Sequence, residues 1–488
     1  MSHDADVVVV GAGPNGLTAA AVLAKHGLDV RVFELAPEVG GGTRSAELTL
    51  PGYVHDVCSA VHTTGILSPA FRYLDLERQG LEWVTPEASV AHPLEAEPAA
   101  LLEASLTTTA QQLGADAKAY ERLLRPWVNA GARLFEDVLN PLGFPRHPWL
   151  MARLGWYGLG SARSLASRFE SERTRALLAG CAAHSILPLE SPLTAAVGLV
   201  FLIAGHVHPW PIAKGGSRAI GQALWRVTEA LGGRLESNVE VRSLSQLPKA
   251  RAYVFDLAPA QLANLAADEL PSGYSSALVR YRMGPGVFKM DWALSEPIPW
   301  RDPECRRAAT VHVGGTFDEI ADSERCAFEG RHSERPFLIV AQQSLFDPSR
   351  APSGKHTGYA YCHVPNGSER DLTQIVEAQI ERFAPGFKQC ILGRHQSTAQ
   401  ALERYNPSYI GGAITGGVAD LRQFVTRPAW RWDPYSTPNP RLFICSHSTP
   451  PGGGVHGMCG LFAASSVLSR TFGRAKPRWR TRTSSGKS

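Results

Sequence analysis

The opening of the chain constrains it most. From Asp6 the sequence runs Val7-Val8-Val9-Val10 straight into Gly11-Ala12-Gly13-Pro14-Asn15-Gly16. A continuous β-branched run suits a strand buried on both faces. Leu17, Ala20, Ala21, Leu23 and Ala24 then mark one face of a helix that Gly27 closes. Leu28 to Leu35 reads as a second strand, with Glu34 at its end. Each part has a physical use. Gly11 permits a tight turn, Gly13 lets a pyrophosphate approach the backbone, and Gly16 lets the helix pack on the strand. The helix N-terminus offers free N–H groups to phosphate. Glu34 can accept hydrogen bonds from both ribose hydroxyls, and its charge disfavours a 2′-phosphate. Glycines alone would fit an ordinary structural turn. Strand, turn, helix, strand and acid in this order predict a Rossmann-type dinucleotide site, without separating NAD from FAD.

The following residues bear on that choice. Gly41-Gly42-Thr43-Arg44 would set another backbone turn and a cation along the same dinucleotide. The arrangement resembles the glutathione-reductase-like flavoproteins, where such a pair lies against the FAD diphosphate and ribityl chain; the resemblance implies FAD. At the other end of the chain, Arg441 to Cys445 reads as a strand. It is followed by Ser446-His447-Ser448-Thr449-Pro450-Pro451-Gly452-Gly453-Gly454-Val455-His456-Gly457-Met458-Cys459-Gly460 and a helix from Leu461 to Leu468. Glycines at a helix start expose N–H groups that stabilise negative charge developing on a bound ring. Gly453, Gly454 and Val455 are therefore cofactor-binding candidates.

With these segments the chain resembles the phytoene desaturase-like flavoproteins, which include carotenoid desaturases, carotenoid isomerases and retinol saturase-like enzymes. The matching residues are Gly11 to Gly16, Glu34, Gly40 to Arg44, Pro51 to Asp56, Pro211 to Gly216 and Pro450 to Gly460. One departure is Ser446-His447, where the family's strand ends in Gly and a small residue. The resemblance implies an α/β fold. Its Rossmann-type FAD domain would be assembled from residues 1–82, 208–282 and 411–470, beside an α+β substrate domain from 83–207 and 283–410. It also implies a backbone contact of Val241 with adenine. Val239-Glu240-Val241 is expected to pair as a strand with the stretch before it.

Composition excludes several classes. Hydrophobic content of 44% and charged content of 19% are ordinary for a globular chain. The net charge of +4 sits in a basic C-terminal stretch (Arg474, Lys476, Arg478, Arg480, Arg482, Lys487), so nucleic acid is not an expected partner. Residues 471–488 are expected to be a disordered tail. The 8 cysteines show no metal-ligand spacing, so no metal is expected and a reduced cytoplasm suits them. The apolar segment Leu193 to Trp210, with His206 and His208, is too short to span a bilayer. It could be core helix or could line a substrate cavity at a membrane face, so a peripheral membrane contact stays open.

No second glycine motif follows a strand, which argues against a separate NADPH domain. The expected reaction moves hydride from a C–H bond of a hydrophobic or natural-product substrate to flavin N5, with oxygen, a quinone or another acceptor taking the electrons. The alternatives are a redox-neutral isomerase and a non-enzymatic lipid carrier of the same fold, as in the prenyl-protein escort group. His55, Asp56, His62 and His456 are the candidate catalytic residues.

Overall fold

The computed structural model describes residues 3–477 and 479. Five parallel strands form the first sheet, in the spatial order Leu442–Ile444, Ala250–Phe255, Ala5–Val10, Val30–Phe33 and Arg234–Glu236. The valine run takes the centre because it can be covered on both sides: Val7, Val8 and Val9 have no exposed surface. Crossing back over it, the helix Pro14–Lys25 starts on a proline, which costs no hydrogen bond at a first helical position. Every residue of that helix from Asn15 to Ala24 is buried.

Small residues on that helix allow a second helix, Met458–Arg470, to pack against it. The approach is close enough to require glycine. A β-carbon on Gly460 would lie 2.0 Å from the Asn15 carbonyl oxygen. The two ends of the chain are thus joined over the first sheet.

The second sheet has seven strands, ordered Ile391–Ser397, Gly286–Leu294, His356–Val364, Leu338–Ala341, Ala308–Val313, Ala88–His92 and Ala100–Glu103. All pairs are antiparallel except Ala308–Val313 with Ala88–His92. Helices from Leu106 to Val207 cover one part of it, so closely that a β-carbon on Gly180 would lie 2.6 Å from His312 Nδ1. The fold is mixed α/β, with a Rossmann-type parallel sheet beside this largely antiparallel one. Among the described residues no helix is long and apolar enough to cross a membrane.

Two expectations are corrected. Val239 to Val241 is not a strand: pairing with Val30–Phe33 ends at Glu236, because the neighbouring strand ends at Phe33. The Val239 amide instead donates to the Glu34 carbonyl at 2.9 Å. Among the described residues, parts of the stretch beyond 471 are also held to the body. Phe472 lies under the Arg251 guanidinium at 4.1 Å, and the Trp479 ring meets Phe462 at 5.4 Å. Aromatic surface holds this stretch to the body despite its basic charge. Arg478, Arg480, Arg482 and Lys487 lie outside the described residues.

Candidate functional site

A cavity of about 830 Å³ lies between the glycine turn of the first sheet and one face of the second. That volume is near the upper end for small-molecule sites. Pro14, Asn15 and Gly42 reach it from the N-terminal segment, and Gly453, Gly454 and Val455 reach it from the C-terminal turn. Its further walls are apolar, from Leu193, Ala196, Val197, Val200 and Phe201 of the helical region. The segment Leu193 to Trp210 therefore lines the cavity, but not through its histidines. His206 is spent on Tyr120 (2.9 Å) and the Glu103 carbonyl (2.8 Å), and His208 on the Pro209 carbonyl.

At the glycine turn the dominant neighbour is Asp256, just past the strand Ala250–Phe255. A β-carbon on Gly13 would lie 2.6 Å from Asp256 Oδ2, and one on Gly11 would lie 2.9 Å from its carbonyl oxygen. Oδ2 accepts the Gly16 amide at 2.9 Å. The bare sides of Gly11 and Gly13 thus face a protein carboxyl. Burial pushes the Asp256 pKa up to about 7; the charge of Glu34 adds to the rise and the Gly16 bond opposes it. Sequence reasoning missed this residue, since nothing local marks a strand end that meets the turn only in three dimensions.

Glu34 is a crowded acceptor. It takes the Ala12 amide at 2.6 Å, the Ala36 amide at 2.9 Å and Arg44 Nη2 at 2.9 Å. A carboxylate offers about four acceptor positions, so about one remains for a ribose hydroxyl. Arg44 also donates to the Glu38 carbonyl (2.9 Å) and lies over the Tyr405 ring (5.6 Å). Thr43 is buried, its hydroxyl donating to the Gly40 carbonyl. Gly41 packs against Gly13, with only 3.1 Å between the position of an added β-carbon and the Gly13 Cα. Val241 is half-buried in the cluster beside Tyr253.

The four candidate catalytic residues divide. His62 and His456 line the cavity; His55 and Asp56 do not and are corrected as candidates. Asp56 has no exposed surface and is tied to Arg350 (3.0 Å), the Ser45 hydroxyl (2.8 Å) and the Ser217 amide (2.7 Å). Burial would raise its pKa, but Arg350 and these donors hold it below the usual carboxylate range. His55 is fixed by Thr49 at 2.7 Å and faces Asp291 at 3.6 Å; burial lowers its pKa to about 4. His456 Nδ1 accepts the Met458 amide at 3.1 Å, so it caps the C-terminal helix. For His62, the Ser217 hydroxyl spends its proton on the Ser59 carbonyl and must accept from His62 Nε2. His62 Nδ1 is then a lone pair, buried without a partner. Burial also lowers His62 and His456 to about 4, which makes both weak bases at neutral pH.

At the departure noted in the sequence, His447 lines the cavity and meets Tyr409 at 5.9 Å. Burial, with Arg427 nearby, lowers its pKa to about 4. Trp430 and Trp432, in the loop before the last strand, stand in solvent, while Tyr435 is buried and donates to the Pro450 carbonyl. Among the described residues no cluster of side chains could hold a metal ion.

Comparison with known proteins agrees with this architecture. Residues 9–75 match the NAD(P)-binding Rossmann-like domain. A rat protein described as pyridine nucleotide-disulfide oxidoreductase domain-containing protein 2 is 27% identical, over 95% of this chain and 93% of its own. The zeta-carotene-forming phytoene desaturase of Myxococcus xanthus is 27% identical, over 76% of this chain and 74% of its own. Among solved structures, an oxidoreductase from Methanosarcina mazei superposes with a TM-score of 0.65 at 16% identity, covering 95% of this chain and 100% of that one. The chain thus has the fold of flavin-type oxidoreductases, with a Rossmann-like N-terminal segment.

Proposed function

We propose that the chain is an FAD-dependent oxidoreductase that removes hydride from a C–H bond of a largely apolar substrate. The observation that carries this is one cavity lined both by Pro14 and Asn15 of the N-terminal turn, with Gly42, and by Gly453 to Val455, and continued by apolar walls. The residues fit the cofactor. A Cβ-free turn opens a helix, an acid with about one remaining acceptor position ends the second strand, and Asn15 Oδ1 is buried without a partner. The Gly13 and Asn15 amides would face the diphosphate, with Pro14 starting the helix and Gly16 held by Asp256. Asn15 Oδ1 would accept from a hydroxyl, Glu34 would take a ribose hydroxyl, and Gly42, Gly453 and Gly454 would lie at the ring end. Thr43 and Arg44 would act from behind, through Gly40 and Glu34. Bound FAD would supply the hydride-accepting ring.

The protein's own part is to hold and orient. Apolar walls from the helical region exclude water and keep the substrate carbon against the ring end. In this reading residues 1–82, 208–282 and 411–470 bind the cofactor, and 83–207 with 283–410 bind the substrate. Leu142 and Phe144 are exposed and also line the cavity mouth, which suits loading from an apolar phase such as a membrane surface.

Purified protein is expected to be yellow and to release FAD on denaturation. Anaerobic bleaching by an apolar substrate would establish the hydride transfer, whereas bleaching by none but turnover after chemical reduction would favour an isomerase. A colourless preparation that takes up no added FAD overturns the proposal.

A further inference from the structure

The wall of the cavity formed by the second sheet is not apolar throughout. Along the strand His356–Val364, the alternate residues Tyr359, Tyr361 and His363 share the cavity face, their rings 6.0 and 5.9 Å apart. Tyr359 is anchored to the Cys58 carbonyl, next to the segment that approaches Gly42. At about 3.3 Å of rise per residue, His363 lies roughly 13 Å farther along the strand. It marks the far end of the cavity.

That end is built from polar groups with unused capacity. His363 Nδ1 is held by both oxygens of Glu324, at 2.9 and 2.7 Å, and both side chains are 1% exposed. The pairing fixes the ring and leaves Nε2, which bonds to no group among the described residues. The Tyr361 hydroxyl likewise has no protein partner there. The Thr310 hydroxyl, also buried without a hydrogen bond, belongs to the other end: its strand register sets it level with Tyr359. His184 lines the same end as His363, stacked on Phe201 at 4.4 Å, with its Nε2 joined to His312 at 3.1 Å. A cavity that held only hydrocarbon would leave His363 Nε2 and the Tyr361 hydroxyl unsatisfied, at about 1–3 kcal/mol apiece.

We propose that this end is a subsite for an uncharged oxygen, a hydroxyl or carbonyl, carried by the substrate at the end remote from the reacting carbon. The inference rests on the reading of the cavity as a substrate site. The Tyr361 hydroxyl can donate or accept, so either kind of oxygen is satisfied. An anion is disfavoured. His363 is already joined to Glu324, and Arg427, the one lysine or arginine lining the cavity among the described residues, lies away from this end, its Nη2 donating to Tyr281 and the Gly416 carbonyl. The substrate is therefore amphipathic: an apolar body along the helical wall with a neutral polar end on the sheet.

Calorimetric titration of the purified protein with butylbenzene, 4-phenylbutan-1-ol, 4-phenylbutan-2-one and 4-phenylbutanoate tests this. The alcohol and ketone are expected to bind about tenfold more tightly than the hydrocarbon, one hydrogen bond's worth of preference. Tyr361→Phe and His363→Phe should each shrink that gap without weakening butylbenzene. Equal affinity for all four probes, or tightest binding of the carboxylate, overturns the subsite. If His363→Phe fails to fold, Tyr361→Phe, which removes one oxygen atom, decides the matter. Flavin content is read separately from absorbance. A colourless protein that keeps the preference retains the subsite and overturns the flavin reading.

Discussion

Asp256 shows how a single residue at the glycine turn governs the site. Its carboxyl lies behind Gly13 and bonds Gly16, where a bound diphosphate would bring further negative charge. Burial already holds its pKa near 7, against 3.8 for the free side chain. A raised folded pKa favours the protonated form. The associated stability is full below about pH 4, declines as pH rises from there to about 7, and is absent above. A neighbouring diphosphate displaces the carboxyl further upward, so ionisation and cofactor binding oppose each other. FAD affinity measured by fluorescence quenching is expected to weaken by about tenfold between pH 6 and 8.5, about one unit of displacement. Asp256→Asn, which keeps an acceptor for Gly16, should flatten that profile; an unchanged slope would remove Asp256 from the account. Arg350 poses the reverse case. It has no exposed surface and neutralises Asp56 and Asp347 at 3.0 Å each. Arg350→Met strands two buried carboxylates and should lower stability to denaturant by about 3–5 kcal/mol. In the intact protein the contribution of ionised Asp56 is present above its unfolded pKa and is lost as pH falls through its depressed folded value. His55 and Asp56 drew attention in the sequence as motif residues; their partners Asp291 and Arg350 are too distant along the chain for local pattern to reveal. His62 and His456 show the opposite limit: both reach the cavity, but only the hydrogen-bond network shows how each ring is used.

Elements were more legible than roles, and the reason is periodicity. The run from Gly286 to Leu294 forms a strand in which every residue is buried, and its ends are set by turn residues. The valine strand, the alanine-rich helix and the final glycine-opened helix were readable from local pattern. The segment at Val239 failed because β-branched residues favour a strand only where a partner edge continues, and that edge stops at Phe33. Joining of the N- and C-terminal helices can be tested at this scale. Gly460 sits where any side chain would strike the Asn15 carbonyl, within the turn that the cofactor would use. Gly460→Val is expected to force the two helices apart, costing about 1–3 kcal/mol by overpacking. Thermal melting should show the loss, and FAD retention through gel filtration should fall with it. Retention at the original level would mean that the two helices hold the cofactor independently.

In the whole molecule the two sheets come from interleaved stretches of chain: the parallel sheet takes strands from near both termini and from the middle, and the antiparallel one takes the intervening pieces. Interleaving was suggested by motifs recurring at both ends, yet the shape and chemistry of the cavity were not, since they arise from residues that meet across the two sheets. This arrangement has a thermodynamic consequence. A ligand that touches both the N-terminal turn and the C-terminal turn binds only when the distant segments are assembled, so its binding energy adds to the stability of the folded state. At a free concentration of about a hundred times Kd, FAD should add about 2.7 kcal/mol. Protein stripped of cofactor is expected to melt a few degrees lower than the loaded form, and added FAD should restore the difference in a concentration-dependent way. Glu34→Ala, which removes the carboxylate that accepts from Ala12, Ala36 and Arg44, should leave most of the fold intact but shift the restoration curve to higher FAD. Scanning calorimetry separates the possibilities. A rise that saturates with FAD and moves with Glu34 ties the cofactor to both ends of the chain, whereas a melting point indifferent to FAD would mean that the glycine turn and its C-terminal counterpart meet for packing alone.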